Sequence, residues 1–371
     1  MQAFSDIKKY YSILSPDYPD FLDRYLDLPL LKRLAGVGLL CGTDWTPLYK
    51  NRFYYSRLDH SVGVALIIWH FTHDKAQTLA GLFHDASTPV FSHVSDFRKG
   101  DALTQTATES DNERLLKADT QLCNLLEKDG LKIEQICDYH IYPVADNEIP
   151  RLSADRLEYM FPSGMALDGT WDLPSVERAY NDIVVLKNED GVDELGFKTL
   201  EIAEDYCRRF CQIGHILQLN ENKLTLHMLG QIMNLAVEQG VLQEEDFMTK
   251  TEQEIIEKLD SVVPEPKCAV PDPNCAVPEP VEGPHTKALS PNSLSRLYQT
   301  FRTMTSIEHT SVPLPSDQYF CVSLKVKQRY IDPLCAQNSP SRLSQISPVA
   351  QKIIQDFKSY NDTLYGCVKL V

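Results

Sequence analysis

An adjacent histidine and aspartate, His84 and Asp85, close the apolar stretch KAQTLAGLF, and few folds accept such an ending. A carboxylate that follows so apolar a segment is costly to bury unless it meets a cation. Ser87, Thr88 and Pro89 come next and form a helix stop. Adjacent side chains on a helix point about 100° apart. His84 and Asp85 can therefore reach one ion only near the helix end, where the chain can close around it.

Two other segments carry the same residue types. SRLDH places Arg57, Asp59 and His60 ahead of SVGVALIIWHF, which is apolar nearly all round and reads as a buried helix. LSADRLEYMF carries Asp155 beside Arg156. Taken singly, each histidine reads as a satisfied core residue and each aspartate as a cap. Taken together, His60, His84, Asp85 and Asp155 form a mixed nitrogen and oxygen ligand set. Such a set suits one divalent cation with room for water: Mn, Fe, Ni, Co, Mg or a distorted Zn site.

Charge narrows the partners. The formal net charge is −16 over 371 residues, which opposes non-specific binding to DNA or RNA. A substrate bearing phosphates would need a metal and a few arginines to reverse that field locally. No apolar run approaches the roughly 20 residues that span a bilayer, and MQAFSDIKKYYSIL lacks an apolar signal region. The expectation is a cytoplasmic chain without a membrane partner. The ten cysteines form no CxxC pair and read as reduced thiols.

The fold class predicted is mainly α with a small C-terminal α+β part. Apolar residues recur at helical intervals in LDLPLLKRLAGVGLL, and further helices are predicted at 109–128, 153–160, 199–217, 223–240 and near Pro291–Met304. NDIVVLKNEDGVDELGF reads as a hairpin. YFCVSLKVKQRYI alternates as a half-exposed strand, with GCVKLV as its partner. Between Val263 and Pro284 the repeats VPEPK, CAVPDPN and CAVPEPV favour an extended, solvated segment. These readings divide the chain into a helical domain at 1–262, a proline-rich linker or insertion at 263–285 and a small α+β region at 286–371. GxGxxG and GxSxG are absent, His70 and His73 read as helix-surface residues, and Arg208 and Arg209 read as a solvated face.

RLDHSVGV, LAGLFHDASTPVFSH and SADRLEY resemble the motifs of the HD-domain metal-dependent phosphohydrolase superfamily. They are most similar to the deoxynucleoside-triphosphate triphosphohydrolase (dGTPase-like) branch, whose pattern reads RxEHSxGV, LLHDxGHxPFSH and DxxDY. LPLLKRLAGVG also resembles the QRLRxIxQLG segment of that branch, so the likeness covers roughly residues 20 to 165. It implies an HD-type helical core, with His60, His84, Asp85 and Asp155 as metal ligands. It further implies Arg57 on the substrate phosphates, Tyr159 near the nucleotide and His93 lining the same cleft, in a homo-oligomer.

The departures from that pattern bear on chemistry. Thr88 stands where the branch has a catalytic histidine, and a hydroxyl cannot supply a proton near neutral pH. Thr108-Glu109 aligns with a family His-Glu pair, and Ser163 stands where an aspartate is usual. The catalytic set expected is therefore Asp85 with His93 and Glu109, the last two substituting for the missing acid. The function expected is hydrolysis of a small-molecule nucleotide or related phosphoester, with a deoxynucleoside triphosphate the leading substrate. A monophosphate or cyclic nucleotide is a second reading. A third is a regulatory protein that binds a metal-nucleotide ligand with little turnover.

Overall fold

A computed structural model describes residues 2–100, 102–103, 111–262, 293–337 and 339–371. Its principal helices are α1 (Ile7–Leu14), α2 (Arg57–Thr72), α3 (Lys75–Phe83), α4 (Ala154–Leu167), α5 (Leu200–Gln218), α6 (Asn220–Glu238), α7 (Glu252–Val262), α8 (Leu294–Thr303) and α9 (Pro348–Ser359). The strands are β1 (Ile183–Lys187), β2 (Asp193–Phe197), β3 (Glu308–Thr310), β4 (Tyr319–Val322), β5 (Leu334–Cys335), β6 (Ser341–Arg342) and β7 (Tyr365–Lys369). The fold is mainly α with a small C-terminal α+β part, as the sequence predicts.

Local chemistry sets the helix starts that matter for the site. Ser56 and Asp59 form a capping box at the start of α2, each side chain accepting the other's backbone N–H. From His60 to Ile68 this helix is buried all round. Asp74 caps α3 by accepting from the Gln77 N–H, and the helix ends at Phe83 so that His84 is its C-cap. Ser153 caps α4. The sequence reading ends this helix at residue 160, but it runs on through Pro162 to Leu167. Pro162 forgoes only one intrahelical bond, and the buried Phe161, Met165 and Ala166 hold the next turn against the core.

Strands β1 and β2 pair antiparallel around the Asn188–Val192 turn, and the C-terminal β5 and β6 extend this sheet in the order β1-β2-β5-β6. Arg342 on β6 clamps it through a two-pronged pair to the fully buried Glu194, at 2.6 and 2.8 Å. The second sheet sets β7 between β3 and β4, both antiparallel, so GCVKLV does pair with YFCV. Their register places Cys321 opposite Cys367, and the two are joined as a disulfide. That pairing departs from the expectation of reduced thiols throughout, because cysteine spacing carries no information on strand register.

Three further differences have local causes. The helix predicted over 109–128 is two helices, 112–118 and 120–128, broken at Asp119, whose side chain caps the second by accepting from the Leu122 N–H. The helical spacing in 28–40 yields only a short helix at Pro29–Lys32 and a tight turn through Gly36. The strand predicted through Ile331 stops at Val322, and the chain then bends across α5. The proline-rich stretch 263–285 lies outside the described residues.

Two apolar cores result. One gathers α1 to α5 with α9, around Leu66, Phe83, Leu157 and Tyr206. The other gathers α6, α7, α8 and the three-stranded sheet, around Leu229, Ile255, Phe301 and Val368. A cleft with a cavity of about 170 Å³ opens where they meet, with Leu39 of the first core facing Phe97, Leu226 and Val326 of the second.

Candidate metal centre

At the floor of this cleft, three elements bring four of the predicted residues together. His60 sits in the first turn of α2, His84 and Asp85 at the end of α3, and Asp155 in the first turn of α4. Asp155 Oδ1 lies 3.1 Å from His60 Nε2 and 3.7 Å from His84 Nε2. The donor atoms of these three residues all lie within 4.8 Å of one another. Asp85 turns Oδ2 to the same imidazole nitrogens at 3.8 and 3.6 Å. Nitrogen and oxygen donors bind divalent ions at about 2.0–2.2 Å, which places neighbouring donors about 3 Å apart. His60, His84 and Asp155 fit one cation by donor type and by spacing, and Asp85, whose Oδ2 accepts from Arg57, stands beside that group as a fourth donor of the right type.

Each imidazole is oriented from behind. His84 Nδ1 meets the Gly81 carbonyl at 2.7 Å, which leaves Nε2 as the donor toward Asp155. His60 Nδ1 meets Glu158 Oε2 at 2.5 Å. Glu158 is fully buried, and its Oε1 accepts from the Tyr55 and Tyr10 hydroxyls at 2.6 and 3.1 Å. Space for it exists because residue 63 is glycine, where a Cβ would lie 2.5 Å from Glu158 Oε1. Asp85 is held at both oxygens, by Arg57 Nη1 at 2.7 Å and by the Thr88 hydroxyl at 2.9 Å. Arg57 Nε also donates to Ser92 Oγ. Phe91 and Ser92 are consecutive non-glycine residues with φ of 59° and 50°, a strained arrangement that aims Ser92 at Arg57.

Charge follows from these contacts. Burial raises the pKa of Asp85, but Arg57 and the two imidazoles outweigh it and hold the carboxyl well below the usual range. Asp155 is likewise held low against burial by His60 and His84. Burial disfavours an imidazolium at His60, yet Glu158 and Asp155 prevail and its pKa is pushed up to about 10. A cation can use His60 Nε2 only once that proton leaves. Cation affinity is therefore expected to rise between pH 6 and 8, by up to about tenfold per unit, with release of about one proton per ion. Titration calorimetry in buffers of different ionisation enthalpy measures that proton, and a pH-independent affinity without proton release would remove the coupling.

The other predicted residues divide. His93 lines the cleft and pairs its Nδ1 with the buried Asp96 at 2.9 Å. Its pKa is lowered by burial, a shift that Asp96 opposes and that Arg329 and Arg57 reinforce. Tyr159 and Ser163 line the cleft as well. Arg57 lines it too, but as the ion-pair partner of Asp85. Thr108 and Glu109 lie outside the described residues. Arg208 pairs with Asp205 on the surface of α5, and Arg209 lies over the Trp171 ring, both away from the cleft.

Sequence reasoning missed Glu158, Asp96, Lys327 and Arg329. The first two carry a weak signal, being carboxylates three residues after Asp155 and His93 on the same helical face. Lys327 and Arg329 line the cleft from a segment far along the chain and carry none. A second group with metal-binding composition, Glu221, His309 and Asp362, is built differently. There the two ring nitrogens of His309 go to separate carboxylates, at 3.0 and 3.2 Å, which makes an ion-pair bridge.

Two solved structures share this fold over nearly the whole chain. One is a phosphohydrolase from Bacteroides thetaiotaomicron VPI-5482, with a TM-score of 0.58 at 14% identity, covering 97% of this chain and 94% of that one. The other is a hypothetical protein from Aquifex aeolicus, with a TM-score of 0.59 at 14% identity over 95% and 93% of the two chains. At that identity the likeness is one of fold. Among curated proteins, the uncharacterized protein YdhJ of Bacillus subtilis is 24% identical over 214 residues, 56% of this chain. The metal-dependent phosphohydrolase cns2 of Cordyceps militaris is 30% identical over 104 residues, 28% of this chain. The chain spans 62% and 30% of the lengths of these two relatives. No family model matches the chain. Among the described residues, no helix is long and apolar enough to cross a membrane.

Proposed function

We propose that this chain is an HD-type metal-dependent phosphohydrolase acting on a small phosphoester, with a nucleotide as the leading substrate. The observation that carries the reading is the close grouping of His60 Nε2, His84 Nε2 and Asp155 Oδ1 at the cleft floor, with Asp85 Oδ2 beside both imidazoles and the far nitrogen of each imidazole fixed. His60, His84, Asp85 and Asp155 would hold the cation. Bound there, a divalent ion neutralises charge on a phosphoryl group and acidifies water.

The chain supplies the rest. Arg57, pinned by Asp85 and Ser92, keeps a cation beside the phosphoryl position without a reorganisation cost. His93 is neutral near pH 7, since its pKa lies below the usual histidine value. With Nδ1 given to Asp96, its Nε2 remains to take a proton, which suits a base. Thr88 is committed to Asp85 and serves as a positioning hydroxyl. Solved and curated proteins named phosphohydrolases share the fold or part of the sequence, which supports the same reading.

The test is elemental analysis of the purified full chain, followed by a turnover screen against nucleotides and simple phosphoesters with that metal supplied. About one divalent ion per chain with release of phosphate, pyrophosphate or triphosphate is the expected result. One ion per chain without turnover would favour a regulatory metal-nucleotide binder, and no ion under any loading would end the proposal.

A further inference from the structure

Two loops, 38–45 and 90–93, border the cleft on the side of Arg57, and one carboxylate from the second core grips both. Glu252, the first residue of α7, is buried. Its Oε1 accepts the Gly38 N–H at 2.9 Å and its Oε2 the Trp45 indole N–H at 2.7 Å, and the Phe91 backbone N–H is a third donor. Glycines admit the start of α7 to the first loop. A Cβ at Gly36 would collide with the Thr251 side chain, and one at Gly38 would lie 3.3 Å from Glu252 Oε2.

From these loops the contacts run on to the arginine beside the cage of His60, His84, Asp85 and Asp155. Ser92 Oγ donates to the Gly38 carbonyl at 3.1 Å and accepts from Arg57 Nε at 3.0 Å. The Arg57 N–H donates to the Val37 carbonyl at 2.7 Å, and Asp85 holds the far end of the guanidinium. Glu252 therefore fixes both residues that aim Ser92: Gly38, which takes its proton, and Phe91, which precedes it in the strained turn.

Such a grip depends on charge. A Cβ at Gly38 would also lie 3.1 Å from Asp44 Oδ2, so a second carboxylate faces Glu252. Cys41 and Tyr54 are the other titratable groups that face it, with Arg57 beyond Ser92. Burial, with Asp44 adding to it, pushes the Glu252 pKa up to about 7 against the three N–H donors. Protonation turns one oxygen from acceptor into donor, so an N–H loses its partner. Hydrogen bonds to the ionised form are roughly twice as strong. The grip thus tightens as pH rises through about 7.

We propose that Glu252 is a positioning residue for Arg57, fixing the loops at Gly38 and Phe91 when ionised and releasing them when protonated. The proposal rests on the phosphohydrolase reading for what Arg57 serves, but the positioning can be measured without it.

The experiment follows two side-chain N–H signals of the isotope-labelled full chain by NMR across neutral pH. The Trp45 indole reports the grip and Arg57 Nε–H its consequence, each assigned by substitution (Trp45→Phe, Arg57→Lys). In the wild type both are expected to shift with one shared midpoint near neutral pH, and Glu252→Gln to abolish that transition in both. An Arg57 signal that lacks the Trp45 midpoint, or keeps it in Glu252→Gln, overturns the proposal. Should Glu252→Gln fail to fold, Asp44→Asn decides. It leaves the three N–H donors in place and removes the facing charge, so both midpoints are expected to move to lower pH, and unmoved midpoints overturn the proposal. With a substrate from the turnover screen, Glu252→Gln is expected to lower kcat/KM about ten- to a hundredfold above neutral pH, with bound metal per chain unchanged. An unchanged kcat/KM overturns the positioning role. Absence of metal and turnover counts against the cage instead, and the two signals still decide the positioning.

Discussion

A chain carrying alanine at both His84 and Asp85 is expected to fall from about one divalent ion to none, and to lose phosphoester hydrolysis with it. Two of the four donors that converge on the cleft floor disappear together. The remaining pair, His60 and Asp155, stand 3.1 Å apart and would be left to bind a proton. The double change also leaves Arg57, a buried cation, without its 2.7 Å carboxylate partner, and this costs stability. His84→Ala alone separates the two effects. Its imidazole has one backbone partner, the Gly81 carbonyl, so the fold is expected to persist while metal binding falls steeply. Elemental analysis after dialysis measures both variants, and stoichiometric metal in the double variant would sink the cage.

The second large effect is expected at Glu158, a residue that touches no substrate. Glu158→Ala strips His60 Nδ1 of its acceptor and leaves the Tyr10 and Tyr55 hydroxyls facing a buried void. Burial, with Glu158 itself, raises the pKa of both tyrosines well above the ordinary value, so they remain donors in search of a partner. Breaking one side of a buried charged network costs about 3–5 kcal/mol. Losing the group that orients a metal-binding histidine costs about 10–100-fold in metal affinity. Denaturant unfolding and metal titration are the two measurements. Glu158→Gln keeps the shape with a weaker acceptor and is expected to recover most of the stability but less of the affinity. Wild-type metal affinity in Glu158→Ala would mean that His60 needs no such support.

The meeting of His60, His84, Asp85 and Asp155 is legible in the sequence because its chemistry is local. Buried charge at a helix end has few explanations, and His60, His84, Asp85 and Asp155 each sit at the start or finish of a strongly apolar helix. The hairpin at 183–197 is legible for a similar reason, since its turn composition lies between two apolar runs. What the sequence hides is set by packing over distance. The alternation in YFCVSLKVKQRYI fits a strand through Ile331, yet among the described residues pairing partners exist only as far as Val322. The next residues serve the cleft instead. Cys321 and Cys367 share the difficulty, because their meeting depends on the register of two strands and not on spacing. The setting of Arg57 is only half legible. Its proximity to phosphate is what a motif conveys, whereas its contacts with Asp85 and Ser92 emerge only from the turn at Phe91 and Ser92.

The cleft is bounded by residues as early as Leu39 and as late as Arg329, and this spread orders events during synthesis. A ribosome delivers every cage residue by Asp155, and the carboxylate behind His60 three residues later. The opposing wall emerges only after α8 and β4 have been made. The residues of the cleft floor can thus meet well before the opposite side of the cleft exists. Any intermediate paused between those points would carry an open cleft floor, and fastening the last segment onto α5 is the step that walls it in.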